Sequence, residues 1–217
     1  MHNGSGKEME DLEILDFNDK DINVEEVPYE NKRLKKKEEE PQDWKKEFKS
    51  WFITLAVTLL VILVLKNYVI INASVPTGSM ENTIMAGDNL MGFRLAYLVD
   101  EPERGDIIFF YFPDDESQKY VKRIIGLPGE TVTIYDGNIY INGSDKPLEE
   151  PYLKEEWTNG TGPYVFVVPE DSYLVLGDNR NTSQDARYWV NSYVTKDKII
   201  GKAIFTYFPF DHIGLLE

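Results

Sequence analysis

The longest apolar stretch of the chain begins at Trp51 and runs without a charged residue to Leu65. A short polar break at residues 66–68 follows, and apolar residues then continue to Ile71. A helix over residues 51–71 would be roughly 31 Å long, which matches the ~30 Å hydrocarbon core of a bilayer. A buried soluble helix so apolar would need a large covering domain, and about fifty preceding residues are too many for an ordinary signal peptide. We therefore predict one transmembrane helix over residues 51–71.

Beyond this span, short apolar or alternating runs rich in β-branched and aromatic residues recur along the chain. Turn signals such as Asp136-Gly-Asn separate the runs, and no amphipathic stretch of helix length interrupts them. This pattern is typical of an antiparallel β-barrel or β-sandwich, so residues 73–217 are predicted to form one mainly β domain. The predicted strands cover residues 89–95, 106–112, 119–125, 131–135, 138–141, 164–168, 172–176 and 199–208.

Residues 1–50 contain 10 Lys and Arg against 15 Asp and Glu, with little apolar periodicity. Such a segment buries too little surface to fold alone, so we predict a mostly disordered acidic tail. Within it, the charge run at residues 32–40 is interpreted as a solvated block, with docking to lipid or protein as the alternative.

Basic residues are distributed unequally around the predicted span. Lys45, Lys46 and Lys49 precede it, whereas the first basic residue after Lys66 is Arg94. Because Lys and Arg accumulate on the cytoplasmic side, we expect a single-pass plasma membrane protein with a cytoplasmic amino terminus and residues 73–217 on the extracytoplasmic face. The absence of cysteine suits a compartment in which the protein uses no disulfide framework.

Composition excludes several classes of chemistry. The net charge of -15 argues against nucleic acid as a partner. Cysteine is absent and histidine occurs only at positions 2 and 212, so zinc sites, cysteine nucleophiles and most histidine triads lack their residues. The sequence shows no phosphate-binding loop and no Gly-x-Ser-x-Gly elbow, and nothing singles out a glycosidase carboxylate pair. We predict neither a metal nor an organic cofactor.

A serine and lysine dyad fits the remaining residues, since a neutral amine can take the serine proton. The pKa of such a lysine must fall from ~10.4 to about 8, which requires burial among apolar groups. Lys122 lies on an apolar strand, where period-2 alternation places it on one face with Tyr120 and Ile124. Lys202 lies in a similar strand, and this criterion alone does not separate the two lysines.

Ser79 is the candidate nucleophile, within Pro76-Thr-Gly-Ser-Met80. Gly78 allows close approach of the backbone and Pro76 fixes the entry of the chain. The simplest alternative is an ordinary turn serine. The position of Ser79 shortly after Ile71 would place a catalytic serine at the membrane surface.

Four segments of this sequence occur in an order that resembles the characteristic boxes of type I signal peptidases. The resemblance covers roughly residues 50 to 210, and one amino-terminal span before a short catalytic domain is similar to the Gram-positive form. The boxes are Val75-Pro-Thr-Gly-Ser-Met80, Arg104-Gly-Asp106, Tyr120-Val-Lys-Arg-Ile-Ile-Gly-Leu-Pro-Gly129 and Gly177-Asp-Asn-Arg-Asn-Thr-Ser-Gln-Asp-Ala-Arg187.

The resemblance implies that Ser79 is the nucleophile and Lys122, rather than Lys202, is the general base. It also implies an oxyanion hole formed by the Ser79 amide and the Thr77 hydroxyl, which favours the developing negative charge. The shallow pockets for small side chains at positions -1 and -3 of the substrate would be lined by Val75, Met80, Ile84, Tyr120 and Val121.

In the last box, the resemblance implies that Ser183 orients the lysine amine and that Asp185 pairs with Arg187 to brace the loop. Ala186 stands where the family usually has a serine. We expect this difference to affect the bracing of the loop more than the catalytic chemistry. The implied partners are the signal peptides of exported preproteins and the lipid bilayer.

The sequence therefore predicts a membrane-bound serine endopeptidase that removes amino-terminal signal peptides. A catalytically inert, membrane-tethered β module that assists surface-protein assembly is the main alternative. Self-cleavage by the same dyad, as in the self-cleaving repressors, is a second alternative that the membrane span disfavours.

Overall fold

The structure, a computed structural model, describes residues 44–217. Most of the predicted acidic tail at residues 1–50 therefore lies outside the described residues. Helix α1 covers Trp44–Val64 and continues as a π-helical turn over Leu65–Val69. Every side chain of α1 is exposed, and this helix is long and apolar enough to cross a membrane.

The boundaries of the helical segment differ from the prediction at both ends. Helix α1 already includes residues 44–50, and no proline or glycine interrupts it there. Ile70 and Ile71 belong to a strand instead of the helix, and Ile71 is buried in the core of the β domain. The tertiary contacts of Ile71 thus place it in a strand, although the apolar pattern of the sequence predicts that the helix continues to this residue.

Eleven strands form two antiparallel sheets within residues 70–217. The larger, curled sheet is a half-barrel with the order β1-β2-β10-β3-β4-β8-β9, and β11 pairs with β10. The smaller sheet has the order β6-β5-β7. The predicted mainly β, antiparallel class is confirmed. The strands are β1 Ile70–Ser74, β2 Asn89–Phe93, β3 Ile107–Tyr111, β4 Lys119–Gly126, β5 Thr131–Tyr135, β6 Asn138–Ile141, β7 Tyr164–Val167, β8 Ser172–Leu176, β9 Tyr193–Thr195, β10 Ile199–Phe208 and β11 Gly214–Leu215.

Strands β5, β6, β8 and β10 have the predicted bounds, and the other predicted strands agree to within a few residues. The Asp136-Gly137 turn joins β5 to β6 with positive φ at both residues, as a two-residue hairpin requires. Strands β1, β9 and β11 were not predicted. The first continues the apolar run of the span, and the other two are too short to show alternation.

Strand β3 and the part of β4 from Lys122 onwards are buried on both faces. Phe109 packs with Val75, Met80 and Leu90, whereas its neighbour Phe110 packs in a second cluster with Ile124. Successive residues of a strand point to opposite faces, so the two clusters lie on opposite sides of the sheet. A polar side chain on β4 from Lys122 onwards is consequently removed from water whichever way it points.

Arg123 on β4 and Asp178 after β8 form a buried ion pair. Arg123 Nε and Nη2 donate to the two carboxylate oxygens at 2.9 and 2.7 Å, and both side chains are at most 2% exposed. The guanidinium also donates to the carbonyl oxygen of Gly105 at 2.8 Å and stacks on Tyr152. The pair therefore joins β4 to the loop that follows β8.

We predict that Asp178→Ala lowers the free energy of unfolding by about 3–5 kcal/mol, because it leaves the Arg123 charge buried without its partner. Denaturant unfolding of the full chain in detergent measures the change. The matched control is Glu101→Ala, which breaks an exposed pair with Lys196 and should cost less than ~1 kcal/mol. Equal losses in the two variants would contradict this role of the buried pair.

Candidate active site

Ser79 lies on a loop, residues 75–88, that connects β1 to β2. We call this segment the serine loop. Its base is closed by two backbone hydrogen bonds, from Val75 N–H to the Asp88 carbonyl and from Gly87 N–H to the Val75 carbonyl. Met80 and Ile84 are fully buried and fasten the loop to the core, while Ser79 remains partly exposed. The serine is thus held on a fixed support at the sheet surface.

The amine of Lys122 contacts this serine directly. Lys122 Nζ lies 2.6 Å from Ser79 Oγ and donates a second hydrogen bond of 3.1 Å to the carbonyl oxygen of Val121. The lysine is only 4% exposed. Burial lowers the pKa of Lys122 from 10.5 to about 8, although the carboxylates of Asp185 and Asp178 oppose the shift. A neutral amine is therefore accessible near physiological pH, within hydrogen-bonding distance of a hydroxyl.

The second candidate lysine occupies a different environment. Lys202 Nζ forms an ion pair with Asp106 Oδ1, and its side chain is 39% exposed. Both strands have the same apolar pattern, but only the tertiary structure shows which amine meets the serine. Of the two lysines, Lys122 is the one that contacts Ser79.

Ser183 lies buried beside the serine loop. A side chain at Gly177 would clash with Ser183 Oγ and with the Ser79 carbonyl oxygen, so the glycine lets these two serines approach. Among the described residues, Ser183 Oγ has no hydrogen-bond partner. The expected hydrogen bond between Ser183 and the lysine amine is not formed in this arrangement, in which the amine bonds to Ser79 and Val121 instead.

Asp185 and Arg187 form a fully buried, bidentate ion pair. Arg187 Nε and Nη2 donate to the two Asp185 oxygens at 2.8 and 2.9 Å. Asp185 Oδ2 also accepts the Gly177 N–H at 3.0 Å, and Arg187 Nη2 donates to the Arg180 carbonyl oxygen. These bonds tie both ends of the loop at residues 177–187 together. Ala186 is fully buried in an apolar cluster, where a small side chain fits.

A groove of about 1000 Å³ runs past Ser79 and Lys122. Its lining includes four of the five residues expected to form substrate pockets, and also Thr77, which is exposed. Ile84 does not line the groove. It is fully buried with Leu90 and Phe109, so it supports the floor from below. The four expected residues in the lining are Val75, Met80, Tyr120 and Val121.

Two strand edges border this groove. Strand β1 is at one end of the large sheet and pairs with β2. On β4, the register to β8 begins only at Arg123, so within the described residues Lys119 to Lys122 pair on one side, with β3. Backbone groups on the open sides can bind an extended peptide by adding a strand. The geometry suits a substrate that presents its main chain next to Ser79.

Asn179 also contacts the serine loop, although the sequence pattern assigns it no role. Its side-chain amide donates to the Gly78 carbonyl oxygen at 2.9 Å. The only signal in the sequence was its place in the box that begins at Gly177. Among residues 44–217, no three His, Asp or Glu side chains form a group that could hold a metal ion.

Comparison with known proteins gives consistent matches. The model of the family described as "Signal peptidase, peptidase S26" matches residues 48–208. The chain is 37% identical over 187 residues to a probable signal peptidase I-2 of Synechocystis sp., covering 84% of this chain and 82% of that protein. It is 30% identical over 182 residues to signal peptidase IB of Staphylococcus aureus, covering 76% of this chain and 92% of that protein.

A crystal structure of a signal peptidase I from Enterococcus faecalis is 37% identical, with a TM-score of 0.41, over 48% of this chain and 97% of that one. The family model spans most of the chain, and the two sequence relatives match along most of their own length. On these matches, the chain belongs to the signal peptidase family, peptidase S26, and is an enzyme of that class.

Proposed function

We propose that this chain cleaves signal peptides as a membrane-anchored serine endopeptidase, with Ser79 as the nucleophile and Lys122 as the general base. Membership of the signal peptidase family supports signal-peptide cleavage as the activity. The observation that carries the catalytic assignment is the 2.6 Å contact between the buried Lys122 amine and Ser79 Oγ. An inert β module would have no need to bury an amine against a hydroxyl.

In the proposed reaction, the neutral Lys122 amine takes the proton of Ser79 as Oγ attacks the carbonyl carbon of the scissile bond. The Ser79 N–H and the Thr77 hydroxyl donate to the resulting oxyanion. The intermediate collapses when the new amino terminus takes the proton from the lysine and leaves. The signal peptide is then an ester of Ser79. Lys122 takes a proton from the water molecule that attacks this ester and returns it to Ser79 Oγ as the signal peptide leaves.

The pKa of Lys122 determines how often this chemistry can begin. With a pKa of about 8, about one quarter of the molecules carry a neutral amine at pH 7.5. With the usual value of 10.5, the fraction would be about one in a thousand. Burial on β4 therefore increases the reactive population by about two orders of magnitude.

The groove supports recognition of an extended peptide with small side chains. Alternate residues of a strand point to the same face, so positions -1 and -3 of the substrate would both face the sheet surface. Val75, Met80, Tyr120 and Val121 line the groove beside Ser79 and would form the pocket walls, with Ile84 beneath. We expect shallow pockets there, which would suit alanine better than larger residues.

Helix α1 supports anchoring in the bilayer. It is apolar and exposed on all sides, and it ends shortly before β1 and the serine loop. The basic residues at its start favour a cytoplasmic amino terminus and an extracytoplasmic catalytic domain, as the sequence predicts. In this topology, Ser79 would meet a preprotein where its signal peptide leaves the membrane.

We predict that Ser79→Ala and Lys122→Ala each lower cleavage of a preprotein with an Ala-x-Ala site at least about 10³-fold, because each removes one half of the dyad. Lys122→Arg should be equally inactive, since arginine keeps its proton. Cleavage in detergent, with chelator present and the cut site mapped by mass spectrometry, measures the effect.

The control variant is Lys202→Ala, which removes the other strand lysine and should cut at close to the wild-type rate. If Lys202→Ala is inactive and Lys122→Ala is active, the assignment of the base is wrong. A folded wild-type chain that cuts no preprotein would favour the inert module. Fragmentation of the wild-type chain alone during long alkaline incubation would favour self-cleavage.

We expect kcat/KM to rise with pH through about 8 and then to level off. The sign follows from the base being active when neutral, so activity is present above the depressed pKa of Lys122 and lost below it. Initial rates from pH 5 to 10 on one peptide substrate measure the profile. A rate that is flat across this range would exclude an amine base.

The proposed topology is open to a labelling test, since the native chain has no cysteine. Asp145→Cys places a thiol at an exposed position of the β domain, and Ser5→Cys places one before the span. A membrane-impermeant maleimide should label only Asp145→Cys in intact cells and both variants after the membrane is dissolved. Labelling restricted to Ser5→Cys in intact cells would reverse the orientation.

A further inference from the structure

Asn179 holds the backbone on both sides of the proposed nucleophile. Its side-chain Nδ2 donates a hydrogen bond of 2.9 Å to the carbonyl oxygen of Gly78. Its backbone N–H donates another, of 3.1 Å, to the carbonyl oxygen of Ser79. The residue itself is only 3% exposed. One asparagine thus binds the two carbonyl groups that flank the Ser79 Cα.

The Gly78 carbonyl belongs to the same peptide plane as the Ser79 N–H. A trans peptide is planar, so its C=O and N–H point in opposite directions. A donor that fixes the carbonyl on one side therefore fixes the N–H on the other. Glycine has the least restricted backbone of all residues, so without such a donor this plane can rotate at low cost.

We propose that Asn179 is a positioning residue that aims the Ser79 N–H at the oxyanion formed during cleavage. The inference rests on the proposed role of Ser79 and adds the group that orients its amide. Hydrogen bonding to the carbonyl also polarises the peptide, which strengthens the N–H as a donor. Asn179 acts through the peptide and does not touch the substrate carbonyl.

Other contacts of this peptide do not replace the asparagine. The Gly78 carbonyl also accepts the Glu81 N–H at 3.2 Å, but that bond lies within the serine loop and moves with it. Asn179 follows β8, so its bonds anchor the loop to a strand of the large sheet. The Glu81 carboxylate lies 3.4 Å from the same Nδ2, and two oxygen acceptors on one side keep the amide nitrogen turned towards Gly78.

The test compares wild type with Asn179→Ala and with Asn179→Asp, which keeps the side-chain shape and removes the amide donor. We expect kcat on a preprotein to fall about 10²-fold in both, the range found when an oxyanion donor is lost, with KM within about threefold. A peptide aldehyde ending in alanine forms a tetrahedral adduct with the serine. Its inhibition constant should weaken by the same factor as kcat/KM, while that of the cleaved signal peptide stays constant.

The midpoint of the pH profile shows whether Asn179 acts on the Ser79 N–H or on the pKa of Lys122. We expect this midpoint to stay near the wild-type value in Asn179→Ala. Asn138→Ala is the matched control, because Asn138 Nδ2 also donates to a backbone carbonyl, that of Asp136 at 3.0 Å, in a hairpin outside the groove. This variant should match wild type in every measurement.

Two results would contradict the role of Asn179 and leave the proposed function intact. One is a kcat within about threefold of wild type in Asn179→Asp while wild type cuts normally. The other is an equal loss of affinity for aldehyde and cleaved signal peptide, which would indicate a general collapse of the groove. A wild-type chain that neither cuts the preprotein nor binds the aldehyde would contradict the proposed function as well.

Discussion

The burial of one amine on a central strand of the large sheet is the constraint on which the site depends. Lys122 is on a central strand whose two faces are both covered, so its charge is poorly solvated and its pKa falls to about 8. A buried amine can act as a base only if a hydroxyl group lies within reach of it. The serine loop supplies that hydroxyl at 2.6 Å, and its own buried residues keep it in place.

The loop at residues 177–187 stabilises this contact from the other side. The Asp185–Arg187 pair closes the loop, and the Arg123–Asp178 pair fastens its start to β4. Gly177 leaves room for the serine loop to approach, and Asn179 binds two of its carbonyl groups. Loss of one partner of a buried ion pair is costly because it leaves an uncompensated charge. The two pairs therefore hold this loop against β4, the strand that carries Lys122.

A membrane-proximal position is consistent with this arrangement. The helix that could span the bilayer leads through a π-helical turn into β1, and β1 leads into the serine loop. Few residues separate the apolar helix from Ser79, so in the proposed membrane anchoring the chain itself would limit how far the site can lie from the membrane surface. An extended substrate leaving the bilayer would meet the open edge of β1 next to the groove.

The sequence by itself determined the apolar helix, most of the strands and the two residue types of the proposed dyad. These follow from local patterns, because alternation and turn residues are properties of neighbouring positions. It did not separate Lys122 from Lys202 by physical criteria, since both lie on equally apolar strands. The family resemblance implied Lys122, and the tertiary structure supplies the physical reason, because it places Ser79 against this amine and Asp106 against the other. Asn179 was missed for the same reason: its partners lie about one hundred residues away in the chain.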